Sequence, residues 1–444
     1  MLLLVASYFF YAAWNPPFVS LLVLSTVLDW FVARRINASV VGFERKFWLG
    51  ISLLVNLGLL VFFKYSGFLL ENFANFMNML GVAYSPARFD IILPMGISFY
   101  TFQTLSYSID VYRRKQSPCD SFLDYALYVT FFPQLVAGPI VRSDEFLPQC
   151  RDAKKLDLNM LGLGLVLMIV GMFQKVVVAD ALLAPAVDRV FGAMESPNFI
   201  AAWCGTLAFT GQIFCDFSGY STCAIGAAMC LGFVLPRNFH APYAAVGFSD
   251  FWQRWHISLS SWLRDYLYIP LGGNRSGTWG TYRNLMLTML IGGLWHGASW
   301  TFVAWGGLHG LFLIGERLIR HSMSGWSALL GTGISRLGLQ FVTLFLVCIT
   351  WVFFRAESFS QANLLLSSMF SPFATGDSLD RRSVAIVLMA FAAILFGHQW
   401  TRTTPLENRL ARMPAWACVA MVGGMLYSTL TMPGQDRAFI YFQF

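Results

Sequence analysis

From residue 251 the chain reads Phe251-Trp252-Gln253-Arg254-Trp255-His256. The stretch that begins there continues through Trp262-Leu263-Arg264-Asp265-Tyr266, Leu271-Gly272-Gly273-Asn274-Arg275 and Gly292-Gly293-Leu294-Trp295-His296-Gly297, and it ends on Trp305-Gly306-Gly307-Leu308-His309-Gly310. It holds three of the six histidines of a strongly hydrophobic chain. An ionisable group at membrane depth costs roughly 2.5–3.5 kcal/mol to insert, so such groups are candidates for function.

The composition places the chain in a membrane. Of its 444 residues, 57% are hydrophobic and only 12% are charged, with a mean hydropathy of +0.60, whereas an ordinary soluble domain is about 25% charged. Many windows of about 20 apolar residues fit the thickness of a bilayer, where a helix satisfies its own backbone hydrogen bonds. We therefore expect an all-α, polytopic membrane protein with one embedded domain over residues 1–444, made of roughly ten transmembrane helices plus re-entrant and interfacial helices.

The charge and the cysteines have ordinary explanations. The net charge is +7, and Lys and Arg concentrate in the cytoplasmic loops of membrane proteins. No basic patch lies outside the apolar segments, so we expect no nucleic-acid partner. The eight cysteines form no CxxC pair, which predicts small buried hydrophobic residues and not a disulfide or zinc framework.

Three apolar segments outside the central stretch carry unusual residues. Ile91 to Tyr112 is rich in serine, tyrosine and glutamine, which predicts burial against other helices and not against lipid. Phe131 to Pro139 contains two prolines, which indicates either broken backbone that lines a cavity or is buried in protein, or an interfacial turn. Leu158 to Val178 contains Lys175, which we expect to extend to the lipid headgroups.

Asp216 is the only charged residue between Ile200 and Leu235. A carboxyl group in such a segment must be protonated, paired or in contact with water. It either belongs to a substrate pathway or packs against an arginine of another helix. The apolar run around it, Phe199 to Val234, predicts two short helices or one bent span.

The first histidine of the central stretch falls on an amphipathic pattern. On a helical wheel over Phe251 to Tyr266, His256 lies at the border between an apolar and a polar face. This pattern predicts a helix that lies at an interface or lines a tunnel, with His256 directed inward. Arg264 and Asp265 are adjacent and can also form a simple local pair.

The second histidine, His296, is surrounded by Gly292, Gly293 and Gly297. These glycines either let two helices approach closely or leave room for a substrate to reach the imidazole. An imidazole with its ordinary pKa of about 6.5 can take a proton from a hydroxyl at neutral pH. His309 lies thirteen residues further on and is expected to be structural.

Two other uses of the histidines are disfavoured. HxxxH and HxxE pairs are absent and no carboxylates stand at ligand spacing, so no metal site is expected. No GxSxG motif marks a Ser-His-Asp hydrolase. His240, His321 and His398 lie near span ends or in loops and receive no role.

The motifs of the central stretch, with Phe131-Phe132-Pro133-Gln134-Leu135-Val136-Ala137-Gly138-Pro139, resemble the membrane-bound O-acyltransferase family. The similarity is to the bacterial branch that includes the alginate O-acetyltransferase membrane subunit, and it covers almost the whole chain. It implies a ring of helices around a central tunnel, with residues 251–310 as the catalytic core. It implies that His296 is the general base, and that His256 orients the acceptor or polarises the acyl carbonyl.

The resemblance also implies substrates, partners and location. The donor would be acetyl-CoA or another cytoplasmic thioester, with no bound cofactor. The acceptor would be an exported polysaccharide such as alginate, and the acetyl group would reach it directly or through a periplasmic acetyltransferase. The protein would lie in the bacterial inner membrane, in contact with membrane lipids. Basic residues around the glycine-rich turn would cradle the donor phosphates; the alternative is an ordinary basic cytoplasmic turn. The residues assigned to substrate binding are Arg264, Asp265, Asn274, Arg275, Arg283, Asp216 and Gln134.

Two features depart from the alginate branch. That branch has a further helix before the motif that starts here near Leu2, so we expect this chain to lack an N-terminal helix. It has histidine where this chain has Gln134, so Gln134 is assigned to binding and not to catalysis.

Two functions without chemistry remain open on the residues alone. Broken spans and buried charges also fit a transporter or flippase, which would move a lipid or polysaccharide and consume no thioester. The protein could also be a scaffold of an exopolysaccharide secretion complex. Substitution of the histidines would then affect its function only by lowering the stability of the protein.

Overall fold

The computed structural model describes residues 1–86, 91–136, 138–155, 157–322, 333–373, 375–432, 437, 439 and 440. Every regular element in these ranges is a helix, which confirms the all-α prediction. The residues form two compact units, Met1–Asp157 with Leu231–Pro236 and Leu158–Cys230 with Arg237–Phe444. Each unit is described by itself.

The described residues of the first unit form eight α-helices. They are α1 Leu2–Trp14, α2 Val19–Ala38, α3 Gly42–Leu60, α4 Ser66–Met79, α5 Ile97–Tyr112, α6 Phe122–Thr130, α7 Phe132–Leu135 and α8 Ser143–Arg151. A π-helical segment, Val61–Tyr65, joins α3 to α4.

The second unit contains the remaining described α-helices. They are α9 Leu158–Met172, α10 Ala184–Asp188, α11 Phe199–Cys230, α12 Phe248–Trp252, α13 Ile257–Leu263, α14 Gly277–His296, α15 Trp300–Ser322, α16 Gly333–Arg355, α17 Phe359–Met369, α18 Arg381–Thr401, α19 Leu406–Ala411 and α20 Ala415–Thr431. π-Helical segments follow α9 at Phe173–Leu183 and α13 at Arg264–Tyr268.

Six of the described helices are long and apolar enough to cross a membrane. They cover Pro16–Ala38, Gly42–Met79, Leu158–Ala193, Trp300–Ser322, Gly333–Arg355 and Arg381–Thr401. Two shorter apolar helices, α1 and α20, add to them. The protein is therefore a multi-pass membrane protein, and the total of roughly ten spans stays a prediction.

The polar residues of α5 are buried, as the sequence predicts. Thirteen of its 16 residues are buried. Its Ser108 hydroxyl donates to Asp29 Oδ1 at 3.0 Å, and Asn56 Nδ2 of α3 donates to Asp29 Oδ2 at 2.7 Å. The serine and asparagine groups replace water around a carboxylate in the middle of the unit, which a buried charge requires.

Five of the eight described residues of the two-proline segment Phe131 to Pro139 are buried, which favours a segment buried in protein. Phe131 is fully buried and Leu135 is 1% exposed. Gly96 has φ +73° and lies against this segment, since a Cβ there would stand 2.5 Å from the Leu135 carbonyl oxygen. Ala137 of the motif lies outside the described residues.

The second unit is built on α11, which runs unbroken from Phe199 to Cys230. Of the two alternatives for this segment, the two short helices are wrong and the single span is found. Glycine pairs hold α9 against it, because a Cβ at Gly171 would meet the Gly219 carbonyl oxygen at 2.5 Å. Small residues at such crossings allow close backbone packing in membranes, and this contact packs α9 against the long helix α11.

Lys175 does not extend to the headgroups, so that expectation is also wrong. Its ammonium group pairs with Asp216 and lies 2.9 Å from Asp180 Oδ1, and its side chain is 13% exposed. A lysine buried in a helical bundle is stabilised by carboxylates and not by solvent. Asp216 is thus paired with a lysine and not with the arginine considered as its alternative partner.

Candidate functional site

The chain around His256 is not the continuous helix that the wheel assumes. α12 ends at Trp252 and α13 begins at Ile257, and His256 between them has φ +43° and ψ 55°. A left-handed conformation is uncommon and costly for a residue other than glycine, so the surrounding contacts must hold it. The wheel placed His256 at the edge of a helix, whereas the structure places it fully buried in the turn before α13.

Asn238 fixes the orientation of His256 and its tautomer. Asn238 Oδ1 accepts from the Ser258 hydroxyl at 2.9 Å and from the Ser258 amide at 3.4 Å. His256 Nδ1 lies 3.1 Å from the same oxygen. The backbone N–H of Ser258 can only donate, so the Asn238 atom that it contacts must be the acceptor oxygen Oδ1. His256 Nδ1, which faces the same oxygen, must therefore carry the proton. In the neutral imidazole the lone pair then lies on Nε2.

His296 is the last residue of α14 and is 2% exposed. The centre of its ring lies 6.4 Å from that of His256. Two consecutive hydrogen bonds span roughly 5–6 Å, so the two imidazoles are close enough to share one small polar group. The structure therefore brings the two predicted catalytic residues together, from different elements.

Aromatic rings enclose both imidazoles. The His296 ring lies 5.0 Å from Trp305, 5.1 Å from Trp295 and 5.3 Å from Phe354 between centres. The His256 ring meets Phe217 of α11 edge-on at 4.6 Å. Such a surrounding excludes water and strengthens electrostatic interactions within the site.

The glycines beside His296 serve helix packing. A Cβ at Gly293 would lie 2.3 Å from the Phe302 carbonyl oxygen, and one at Gly306 would lie 2.2 Å from the Met289 carbonyl oxygen. A Cβ at Gly297 would meet the Phe302 ring at 2.2 Å. Of the two explanations open at the sequence level, the contacts support close approach of α14 and α15 and not a cleared space beside the imidazole.

The remaining buried histidines have different surroundings. His309 Nε2 lies 3.0 Å from Thr350 Oγ1, and the ring packs 4.8 Å from Trp305, which fits a structural role. His398 is 4% exposed and lies in the last turn of α18, near the end of a span as the sequence predicts. Within the described part of the chain no group of three His, Cys, Asp or Glu side chains is placed to hold a metal ion.

The predicted donor cradle lies at the turn between α13 and α14. Arg264 Nε donates to Asp265 Oδ1 at 2.8 Å, and this hydrogen bond raises the pKa of the Arg264 guanidinium. The local pair considered from the sequence is therefore present. Asn274 Oδ1 accepts from Arg317 Nη1 at 3.1 Å, a contact with α15 that sequence spacing did not reveal.

Two other arginines of the cradle are exposed. Arg275 follows the turn, and Arg283 lies on α14, where its Nε donates to Asn284 Oδ1 at 3.2 Å. Asn284 Nδ2 in turn donates to the Gly273 carbonyl oxygen at 3.1 Å. This bond holds the glycine-rich turn against α14, so the basic groups are presented from a fixed backbone.

Asp216 and Gln134 have protein partners. Asp216 Oδ2 accepts from the Ile440 amide at 3.0 Å in addition to the Lys175 pair. Gln134, in the first unit, is 2% exposed and its Nε2 donates to the Tyr128 carbonyl oxygen at 2.7 Å. These contacts account for both side chains through packing, and their assignment to substrate binding stays a prediction.

Sequence reasoning missed Asn238 and the segment around Ile440. Asn238 lies in a loop after α11, 18 positions before His256, and no spacing rule links the two. Phe439 is fully buried and packs 5.5 Å from Phe217, which itself contacts His256. The only available signal was the aromatic character of the last residues of the sequence.

Comparisons with known proteins identify the family of the chain. A family model described as the membrane-bound O-acyltransferase family matches residues 112–360. The chain is 41% identical to the "probable alginate O-acetylase AlgI" of Azotobacter vinelandii, over 96% of this chain and 87% of that protein. It is 41% identical to the peptidoglycan O-acetyltransferase of Helicobacter pylori, over 83% and 73%. It is 29% identical to the teichoic acid D-alanyltransferase of Streptococcus thermophilus, over 50% and 56%.

The matched region contains the whole of the site in the second unit. His256, His296 and the glycine-rich turn all fall within residues 112–360. The similarity to the two O-acetyltransferases extends well beyond that region, over most of the chain. The chain belongs to the membrane-bound O-acyltransferase family, and it is a multi-pass membrane acyltransferase.

Proposed function

We propose that the protein transfers an acetyl group towards hydroxyls of an exported polysaccharide and that the His256–His296 pair carries the reaction. The observation that supports this most strongly is the 6.4 Å separation of two buried imidazole rings. Relatives named alginate O-acetylase and peptidoglycan O-acetyltransferase supply the acyl group and the class of acceptor.

The two histidines have distinct parts in the proposed reaction. His296 removes the proton of the acceptor hydroxyl, whose oxygen bonds to the acetyl carbonyl carbon. The carbon–sulfur bond of the thioester breaks, and the leaving thiolate takes the proton from His296. A positioned proton carrier contributes roughly 10²–10⁴-fold in rate.

His256 orients the acceptor in this scheme. With Nδ1 donating to Asn238, the neutral ring offers the lone pair of Nε2 and can accept a hydrogen bond from an acceptor hydroxyl other than the one that reacts, whose single proton goes to His296. The alternative role, polarising the acyl carbonyl, needs a donor at Nε2. We therefore favour orientation of the acceptor over polarisation of the donor.

The proposed donor is acetyl-CoA, which would enter from the cytoplasm. Arg275 and Arg283 are exposed beside the glycine-rich turn and suit its phosphates, together with Arg264 and Asn274. Arg264 is engaged with Asp265, so it would contact the donor only through the face opposite that carboxylate. No separate cofactor is part of the reaction.

The acceptor side of the proposal follows the relatives. Alginate and peptidoglycan are the polymers in their names, and either would lie outside the bacterial inner membrane. The acetyl group would then cross the membrane and reach the polymer directly or through a periplasmic acetyltransferase. Asp216 and Gln134 would contribute to the acceptor pathway through the elements that they hold in place.

The proposal is tested by acetylation of the exported polysaccharide in cells that carry His296→Ala in place of the natural protein. We expect the acetyl content of the polymer, measured by NMR, to fall to background while the variant accumulates in the membrane. His321→Ala, at an exposed position on α15, is the matched control and should leave acetylation unchanged. Normal acetylation by a membrane-inserted His296→Ala variant would exclude the catalytic role.

A further inference from the structure

A cavity of about 420 Å³ lies within the second unit, and neither His256 nor His296 is in its wall. Its wall is formed by α9 and the π-helical segment after it, by α11, by α18 and by α20. Ligand-binding cavities usually have roughly 300–1,000 Å³ and apolar walls with a few polar groups. This cavity has that size, and most of its lining side chains are apolar.

One buried polar side chain in the wall is incompletely satisfied by the protein, since only the Ile394 backbone, four residues earlier on α18, interacts with its polar atoms among the described residues. His398 is 4% exposed and packs against Phe214 at 4.4 Å and Tyr243 at 5.2 Å between ring centres. Its ring nitrogens make no hydrogen bond of ordinary geometry with any described residue. A buried imidazole N–H without an acceptor is costly, and a ligand carbonyl or ester oxygen in the cavity would satisfy it.

Arg237 and Glu407 are the charged residues in the described wall of the cavity, and further arginines lie just behind its polar end. Arg237 lines the cavity and pairs with Glu407 at 3.2 Å, and its side chain is 37% exposed. Arg254 contacts the carbonyl oxygens of His240 and Arg402 at 3.2 and 3.3 Å. Arg254 also pairs with Asp250, whereas Arg402 and Arg409 add two further positive charges.

The pKa of His240, which lines the same end of the cavity, responds to these positive charges. Burial lowers the pKa of His240, and the guanidinium groups of Arg254 and Arg237 lower it further. A positive field of this kind attracts an anion and repels a second cation. The end of the cavity that reaches the protein surface at Arg237 is therefore suited to a negatively charged headgroup.

We propose that this cavity binds a membrane glycerophospholipid with an anionic headgroup. One acyl chain occupies the apolar space between α9, α11, α18 and α20. An ester oxygen accepts a hydrogen bond from His398, and the phosphate lies at the Arg237 end. Charge complementarity favours an anionic lipid, since Arg237 and Arg254 are paired with Glu407 and Asp250, whereas Arg402 and Arg409 have no carboxylate partner among the described residues.

Lipid binding, and not acyl transfer, is the appropriate readout. Asn238 lines the cavity and also accepts the His256 hydrogen bond, so a rate change would not separate the two sites. Purified protein in a neutral detergent is therefore titrated with phosphatidylglycerol, phosphatidylcholine, diacylglycerol or glycerol 3-phosphate. Native mass spectrometry counts bound lipid, and thermal unfolding gives the shift in Tm.

Gly397→Phe fills the cavity from α18, where an added Cβ meets no atom within 4 Å. Gly162→Phe on α9 is the matched control, because its Cβ also meets open space but Gly162 is not in the cavity wall. Met425→Trp on α20 fills the cavity from the other side, should Gly397→Phe fail to fold. Arg237→Gln removes a guanidinium from the polar end.

Phosphatidylglycerol should bind the natural protein at least about tenfold more tightly than phosphatidylcholine or diacylglycerol, and glycerol 3-phosphate should give no shift in Tm. Gly397→Phe or Met425→Trp should abolish this binding, Gly162→Phe should retain it, and Arg237→Gln should reduce the preference for phosphatidylglycerol.

Unchanged phosphatidylglycerol binding by a folded cavity-filling variant would overturn the site. Equal binding of the three lipids, or a shift with glycerol 3-phosphate alone, would overturn the ligand.

Discussion

At the residue scale, the chemistry depends on how Asn238 holds His256. Its side-chain oxygen accepts from both the Ser258 amide and the His256 ring, and this places the proton on Nδ1. Asn238 is a positioning residue, because it acts on the acceptor only through His256. The left-handed backbone of His256 shows that local preference alone would not hold the ring there.

Asn238→Ala should lower the rate of acetyl transfer by about 10²-fold, since a misplaced catalytic group commonly costs that much. Asn238→Asp keeps an acceptor for Nδ1 and should recover most of the rate. The rates are compared with Tm for each variant, and Asn198→Ala at the start of α11 serves as control. Equal losses in the alanine and aspartate variants, at equal Tm, would mean that Asn238 does not act through the His256 tautomer.

His240 predicts a dependence of stability on pH. Because its folded pKa is lowered, the unfolded chain binds a proton more readily than the folded one as pH falls through about 6.5. The contribution of neutral His240 is therefore present above that pH and is lost below it. The loss of Tm between pH 7 and 5 should be smaller in His240→Gln than in the natural protein, and an identical loss would contradict this origin.

At the scale of elements, glycine contacts set the position of His296. Gly293 and Gly306 bring α14 and α15 into backbone contact, and His296 ends α14 just beyond that crossing. The sequence shows that glycines surround His296 but not which neighbour occupies the space. That neighbour is Phe302 with the turn of α15 around Gly306, a tertiary contact that spacing along one helix does not specify.

Gly306→Ala should strongly destabilise the protein, because its Cβ would stand 2.2 Å from the Met289 carbonyl oxygen and would push the helices apart. Gly307→Ala is its control on the same helix, where the nearest atom, Leu290 Cδ2, would be in ordinary contact at 3.5 Å. Alanine at Gly307 should leave Tm unchanged or raise it, since glycine costs a helix about 0.5–1 kcal/mol. Equal Tm changes for the two variants would contradict the close crossing.

At the scale of the whole molecule, a buried ionic cluster links distant parts of the second unit. Lys175 pairs with Asp216 and Asp180, and Asp216 also accepts from the Ile440 amide, 224 positions further along the chain. This cluster connects the π-helical segment after α9 with the centre of α11 and with Ile440. Its paired charges replace solvent for groups that could not otherwise remain inside the unit.

Lys175→Met should lower the free energy of unfolding by about 3–5 kcal/mol, because it leaves two buried carboxylates without their cation. The double substitution Lys175→Met with Asp216→Leu should recover part of this loss. Arg34→Gln, which removes an exposed pair with Asp120, should have little effect. Unfolding in detergent measures all three, and a Lys175→Met protein as stable as the natural one would contradict the pairing.

The fold class and the two catalytic candidates could be predicted from the sequence, but their setting could not. Hydropathy identifies membrane helices because lipid imposes one rule on every span, and the motifs around His256 and His296 identify the family. The break before Ile257, the Asn238 contact and the Lys175–Asp216 pair arise between segments distant in sequence. A periodic pattern describes one helix at a time. The helical wheel over residues 251–266 therefore assumed a continuous helix, whereas the structure breaks the helix before Ile257, where Asn238 contacts the chain.

The most direct measurement of the proposed function is the rate of acetyl transfer from labelled acetyl-CoA to a polysaccharide acceptor in proteoliposomes, for His256→Gln, His296→Gln and the double variant. We expect each single substitution to lower the rate by roughly 10²–10⁴-fold. Because residues that act as one unit give non-additive losses, the double variant should be about as slow as the slower single variant. Folded single variants that transfer acetyl at the natural rate, or losses that multiply in the double variant, would contradict a paired catalytic role.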